Sequence, residues 1–107
     1  MKSNFFKKKF IQLRISLCDR KIKRIAKKIS KLNIRRESAT TTRDRLVLAI
    51  NNGHYGYDEI EEFERRKSSQ ISKVDYELCA IDESTNDLTK LMVEERNRKY
   101  KMIRSLQ

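Results

Sequence analysis

A chain of 107 residues has room for one domain, and this one gives 38 % of its residues to charge and only 37 % to hydrophobic side chains, too little apolar material to fill the interior of a sphere. Lys and Arg outnumber Asp and Glu by 26 to 15, a net charge of +11. With no proline and two glycines, Gly53 and Gly56, the chain lacks the punctuation that sandwiches, α/β folds and multi-loop proteins need at each reversal. Low hydrophobicity with high charge is also the composition of disorder, so periodicity has to decide.

The first ten residues set Phe5, Phe6 and Phe10 among Lys2, Lys7, Lys8 and Lys9. No uncharged apolar run follows to form a signal-peptide core, Leu17 before Cys18 does not suit a lipoprotein, and no run of about 20 apolar residues could span a bilayer. The expectation is a soluble protein inside the cell, peripheral to a membrane at most. In composition Phe5–Phe10 resembles a membrane-surface anchor; packing of this helix start against Tyr100, Met102 and Ile103 is the preferred reading.

From Ile15 onward apolar positions step by three and four: Ile15, Cys18, Ile22, Ile25, Ile29 and Leu32, continuing in phase through Arg36, Ala39, Arg43, Leu46 and Ile50. This is a heptad seam and predicts a first helix over about residues 5–50. Asn51 to Tyr57 holds both glycines and forms the one strong turn signal. Asp58, with Glu61 three residues on, reads as an N-cap and its capping-box partner, and Glu59 and Glu62 complement the helix dipole. A second helix is predicted over about 58–105, with a seam at Ile60, Glu64, Lys67, Ile71, Val74, Leu78, Ile81, Thr85, Leu88, Met92, Glu95, Lys99 and Met102.

The two seams fit each other. Folding the chain back about Tyr55 pairs Ile50 with Ile60, Ala39 with Ile71, Leu32 with Leu78, Ile29 with Ile81, Ile22 with Leu88 and Cys18 with Met92, and the numbers of each pair have one constant sum. The predicted fold class is all-α: a single long antiparallel two-helix coiled-coil hairpin, with arms of about 65 to 70 Å at 1.5 Å per residue. Arg43 would meet Lys67 and Leu46 would meet Glu64, so a weak or flared zone is expected over 37–45, where Thr40, Thr41 and Thr42 have poor helix propensity. Pairing Phe63 with Val47 would shift the phase near the tip, a stutter. A helix break near Ser38, giving a three-helix bundle, is the structural alternative.

Charge divides along the chain. Residues 1–36 hold 14 Lys/Arg and one acid, Asp19, whereas residues 37–107 hold 12 Lys/Arg and 14 acids. The hairpin would bring Lys2 and Lys7–Lys9 close to Arg96, Arg98, Lys99, Lys101 and Arg104. A basic end that also carries Phe5, Phe6, Phe10, Tyr100, Ile103 and Leu106 reads as a docking site. Cys18 and Cys79 suit a reducing compartment; the register sets them about 13 residues out of line, roughly 20 Å, too far for a bridge.

The residues that could carry chemistry do not assemble. His54 is alone and far from both cysteines, so a zinc site or a Cys/His pair is not expected; it reads as a tip residue. Asp58, Glu59, Glu61, Glu62 and Glu64 read as helix-start electrostatics rather than paired catalytic carboxylates. The two glycines form no phosphate loop. No enzyme activity, cofactor or metal is expected. The cations from Arg20 to Arg36 read as a solvated surface, a nucleic-acid backbone contact or a match for an acidic protein groove. No aromatic interleaves residues 11–36, which weakens single-strand binding, and nothing marks specific nucleic-acid recognition. Ile34 and Leu48 fall on outward positions.

The size, the basic first helix from Lys7 to Arg36, the lone turn at Asn51–Gly56 and the second helix ending in Arg96–Arg104 together resemble the small stalk proteins of type III secretion and flagellar export, the FliJ/YscO/SpaM group. The resemblance covers the whole chain and is architectural, with no motif to align. It implies a central stalk: the end carrying both termini inserts into the pore of a hexameric export ATPase, the tip reaches toward the export gate protein, and secretion chaperones are further partners, all at the cytoplasmic face of a bacterial membrane complex. The ATPase-binding set it implies is Phe5, Phe6, Lys7, Lys8, Lys9, Phe10, Arg14, Arg96, Arg98, Lys99, Lys101 and Arg104; the gate-facing set is Asn52, His54, Tyr55 and Tyr57. The alternatives are a basic helical nucleic-acid-binding protein and a phage or plasmid helical scaffold.

Overall fold

The computed structural model describes the backbone of residues 2–52 and 57–107 and the side chains of residues 5–52 and 61–107. The chain is an all-α helical hairpin of two helices, α1 (Lys2–Asn51) and α2 (Tyr57–Leu106), 50 residues each. No strand occurs among the described residues. Gly53, His54, Tyr55 and Gly56, the centre of the expected turn, lie outside them.

Helix α1 runs unbroken through Ser38, so the three-helix alternative is excluded. Within the threonine run Thr42 turns its hydroxyl back on its own helix, donating to the Ser38 carbonyl at 3.0 Å, and Thr89 does the same to Thr85 at 2.8 Å. At the ends, the Asn52 amide still donates to the Leu48 carbonyl at 2.9 Å, and Gln107 closes α2 on Arg104 at 3.2 Å. Helix α2 begins at Tyr57, which sets Asp58 within the first turn rather than in front of it as a cap. The acids that follow are tied into intrahelical ion pairs, Glu61 with Arg65 at 3.9 Å and Glu62 with Arg66 at 2.6 Å.

The contacts divide the chain into two compact units, residues 1–31 with 85–107, and residues 32–84. In the first, the half-buried or buried positions are Ile11, Ile15, Cys18, Asp19, Ile22, Ile25 and Ile29 on α1, and Thr85, Leu88, Met92, Glu95, Lys99, Met102, Ile103 and Leu106 on α2. In the second they include Leu32, Ala39, Arg43, Leu46 and Val47 on α1 and Phe63, Lys67, Ile71, Val74, Leu78 and Ile81 on α2. Both sets follow the three-and-four stepping of the expected seams. Only Cys18, Ala39 and Ile81 are buried among the described residues, as befits a layer one side chain thick.

Interhelical ion pairs report the antiparallel direction. Arg36 bonds Asp82 at 2.9 Å, and seven residues on in α1 Arg43 bonds Asp75, seven back in α2, at 2.6 Å. Asp19 and Lys99, 2.6 Å apart, keep the same offset in the other unit. Helical side chains lean toward their own N-terminus, so in an antiparallel pair the two members of each bridge lean toward one another.

Three expectations need correction. Arg36, a seam position by spacing, is exposed, because its guanidinium leaves the apolar layer for Asp82. Arg43 does not confront Lys67: it reaches Asp75, while the Lys67 ammonium sits 5.4 Å from the centre of the Phe63 ring. Glu64 is exposed, and Phe63 and Val47 are half-buried in its stead, the phase shift that the stutter anticipates. Within the zone expected to be weak, Ala39 is only 7 % exposed and closes the layer at that level, while from 40 to 45 only Arg43 is half-buried.

Candidate docking surface

The first unit concentrates the charge. Residues 1–31 and 85–107 contain 18 Lys/Arg and four Asp/Glu, a net +14, whereas residues 32–84 contain eight and eleven, a net −3. The only acid of the first 31 residues, Asp19, is held by Lys99, and Glu95 is held by Arg98 at 3.2 Å. Two of its four acids are therefore paired with cations of the same unit.

Large apolar side chains stand on the same unit. Phe5, Phe6 and Phe10 are 56, 66 and 61 % exposed, and Tyr100 is 59 % exposed. Packing against Tyr100, Met102 and Ile103 therefore does not cover the phenylalanines, which corrects the preferred reading of the helix start. Phe5 meets Phe6 edge-on with ring centres 5.9 Å apart, and the Lys9 ammonium lies 4.8 Å from the Phe5 centroid, an exposed cation–π contact worth about 0.5–1 kcal/mol.

The site residues expected at the terminal end all fall in this unit. Lys7, Lys8, Lys9, Arg14, Arg96, Lys101 and Arg104 are exposed; Arg14 borders a shallow depression with Leu17, Lys21, Arg98 and Met102. Arg98 and Lys99 are engaged within the fold, on Glu95 and Asp19. At the tip, Asn52 is exposed. His54 and Tyr55 lie outside the described residues, and Tyr57 opens α2 with its side chain outside them.

A half-buried polar cluster lies under the basic surface. Cys18, 6 % exposed, donates its thiol hydrogen to the Glu95 carboxylate. Burial pushes the Cys18 thiol above its ordinary value, and the hydrogen bond and negative charge of Glu95 push it further, against smaller opposing effects of Lys21 and Arg98. One Glu95 oxygen, Oε2, is buried without a hydrogen bond. Both cysteines are free, and no group of three or more His, Cys, Asp or Glu that could hold a metal ion occurs among the described residues. The thiol is a seam residue kept in its protonated form rather than a nucleophile.

Sequence reasoning missed Leu13 and Leu17, 60 and 48 % exposed. Their signal is present in the sequence: with Phe6 and Phe10 they step by four, three and four, out of phase with the seam that begins at Ile15. No helix among the described residues is long and apolar enough to cross a membrane. No family model, no curated protein and no solved structure matches the chain.

Proposed function

We infer that the chain is a non-catalytic helical docking element whose basic unit seats on an acidic protein surface. Its specific form is the one the stalk resemblance implies: the central stalk of a type III export apparatus at the cytoplasmic face of a membrane complex. The unit carrying both termini would occupy the pore of the hexameric export ATPase, and the tip would be directed to the export gate, with secretion chaperones as further partners. One observation supports this reading above the others, namely that the whole net positive charge of the chain coincides with Phe5, Phe6, Phe10 and Tyr100, each more than half exposed. An acidic sleeve would draw such an end in by charge and hold it by covering the rings.

The test is capture of purified export ATPase on the immobilised chain. Reversing Lys7, Lys8, Lys9 and Lys101 to Glu is expected to weaken capture by more than about tenfold at low salt, through a slower association. Arg98 is spared because its bond to Glu95 belongs to the fold. Undiminished capture refutes the stalk reading. A second reading, contact with nucleic-acid backbone, is favoured by the exposure of Arg20, Arg24, Lys27 and Lys31. Binding to random duplex DNA that falls steeply with salt would support it over the stalk.

A further inference from the structure

One face of α1 carries a second heptad-spaced stripe that the hairpin does not use. Phe6, Phe10, Leu13, Leu17, Arg20, Arg24, Lys27 and Lys31 follow one another in steps of four and three. They stand at the heptad positions opposite the seam of Ile15, Cys18, Ile22 and Ile25, on the side of α1 turned away from α2. All eight are exposed, the four apolar ones by 48 to 66 %. The stripe changes character once along its length, from four apolar residues to four cations, and spans about 38 Å at 1.5 Å per residue. Lys7, Arg14 and Lys21 border it on one side and Lys9 and Lys23 on the other. The one acid nearby, Asp19, is bound to Lys99.

We propose that this face of α1 docks on an anionic lipid bilayer, with Phe6, Phe10, Leu13 and Leu17 entering the headgroup–acyl boundary and Arg20, Arg24, Lys27 and Lys31 lying on the anionic headgroups. Charge complementarity selects this occupant. The unit carries +14 and its outer face shows no unbound acid along the stripe, so a second copy would set like charge against like. A bilayer supplies negative charge along the whole stripe and apolar depth at its first half. The flanking lysines and arginines fit the same surface: long aliphatic stems let their heads rise to phosphate level while the rings and leucines go deeper. Because α2 lies on the opposite side, a flat surface meets α1 along the full stripe without obstruction.

Two signals are required, and both are present. A short apolar patch gives marginal, reversible binding, and a basic cluster gives binding that salt removes; together they hold a helix in the interface plane. Each cation brought to an anionic surface strengthens binding about fivefold. This is attachment at the surface and requires no spanning segment. The inference does not depend on the stalk reading, and its assay contains no ATPase, so either can fail alone.

The experiment is sedimentation of the full chain with vesicles of phosphatidylcholine, alone or mixed with phosphatidylglycerol, at physiological salt. The expected result is co-sedimentation with the mixed vesicles only. Replacing Phe6, Phe10, Leu13 and Leu17 with Gln should weaken it by at least about tenfold, and reversing Arg20, Arg24, Lys27 and Lys31 to Glu should abolish it. All eight positions are exposed, so both variants should keep the helical circular dichroism of the parent. The chain has no tryptophan, so Phe10→Trp places a single fluorophore on the stripe; its emission should shift to the blue with the mixed vesicles. Sedimentation without that shift, or undiminished by the Gln variant, would mean charge adhesion alone and overturn the proposal. Equal loss in a control variant, Ile34→Gln with Leu48→Gln, would overturn its location. Failure to sediment with either vesicle would also overturn it, and would leave the stripe to an acidic helix of a partner protein.

Discussion

Replacing Ile81 with Ala probes the seam where it is most closed. Ile81 is 4 % exposed, the lowest value among the three buried residues. The substitution removes three carbons, about 2.4 kcal/mol at roughly 0.8 kcal/mol per buried CH₂. Core Ile→Ala changes cost about 2–5 kcal/mol once the cavity is counted. No described side chain is less than 2 % exposed, so water can enter the vacated space and the cavity contribution is small. The expected loss is therefore about 2–3 kcal/mol. For a chain of this size that lowers Tm by roughly 10–20 °C. Ile34→Ala is the internal control, because Ile34 is 67 % exposed and a surface change of this kind stays within about 0.5 kcal/mol. Thermal melts followed by far-ultraviolet circular dichroism, at one protein concentration, measure both. Similar Tm losses for the two variants, or a loss under about 1 kcal/mol at Ile81, would refute the assignment of Ile81 to the closed layer and with it the pairing of the two helices.

Three further outcomes follow from the ion pairs and the polar cluster. Thiol labelling of the folded chain should modify exposed Cys79 rapidly and Cys18 slowly, since Cys18 is buried and its thiol is held protonated by burial and Glu95; equal rates would refute its burial. The sign of the pH effect is fixed by the same residue. A thiol whose folded value is raised stabilises the fold below its ordinary value of 9.0, and that contribution is lost as pH rises through the folded value. Cys18→Ala should therefore flatten the alkaline limb of a stability–pH curve, and an unchanged limb would count against the shift. Glu95→Leu removes a half-buried carboxylate with one unsatisfied buried oxygen and frees Arg98, which is exposed enough to be solvated; chemical denaturation should show it neutral to about 1 kcal/mol more stable, and a loss above about 2 kcal/mol would mean that the polar cluster stabilises the fold. A double-mutant cycle on Arg43 and Asp75 should give a coupling of about 0.2–1 kcal/mol that salt reduces, given their partial exposure.

The stepping of apolar residues by three and four made the two helices, their antiparallel pairing and even the phase shift at Val47 and Phe63 legible, because that spacing is a direct print of helix geometry. Long cations at seam positions were not legible in the same way. Spacing places Arg36 and Arg43 in the layer, but whether such a side chain stays or leaves depends on a carboxylate two turns off on the other helix. At the docking surface the charge imbalance was plain from the sequence. The apolar half of the outer stripe was only half seen, since Leu13 and Leu17 sit between seam residues and were masked by the stronger periodicity beside them.

The equal offset of three ion pairs bears on how this hairpin avoids sliding. A seam built on repeated isoleucine is nearly indifferent to a displacement of seven residues, since one apolar side chain simply replaces another. The bridges are not indifferent. Displacing α2 by one heptad would offer Arg36 either Asp75 or Thr89, Arg43 either Ser68 or Asp82, and Asp19 either Met92 or Leu106 in place of the partners observed. Either direction keeps one bridge of three and leaves the remaining charges unpaired, so a few partly exposed side chains favour one alignment over those that hydrophobic contact alone would leave degenerate.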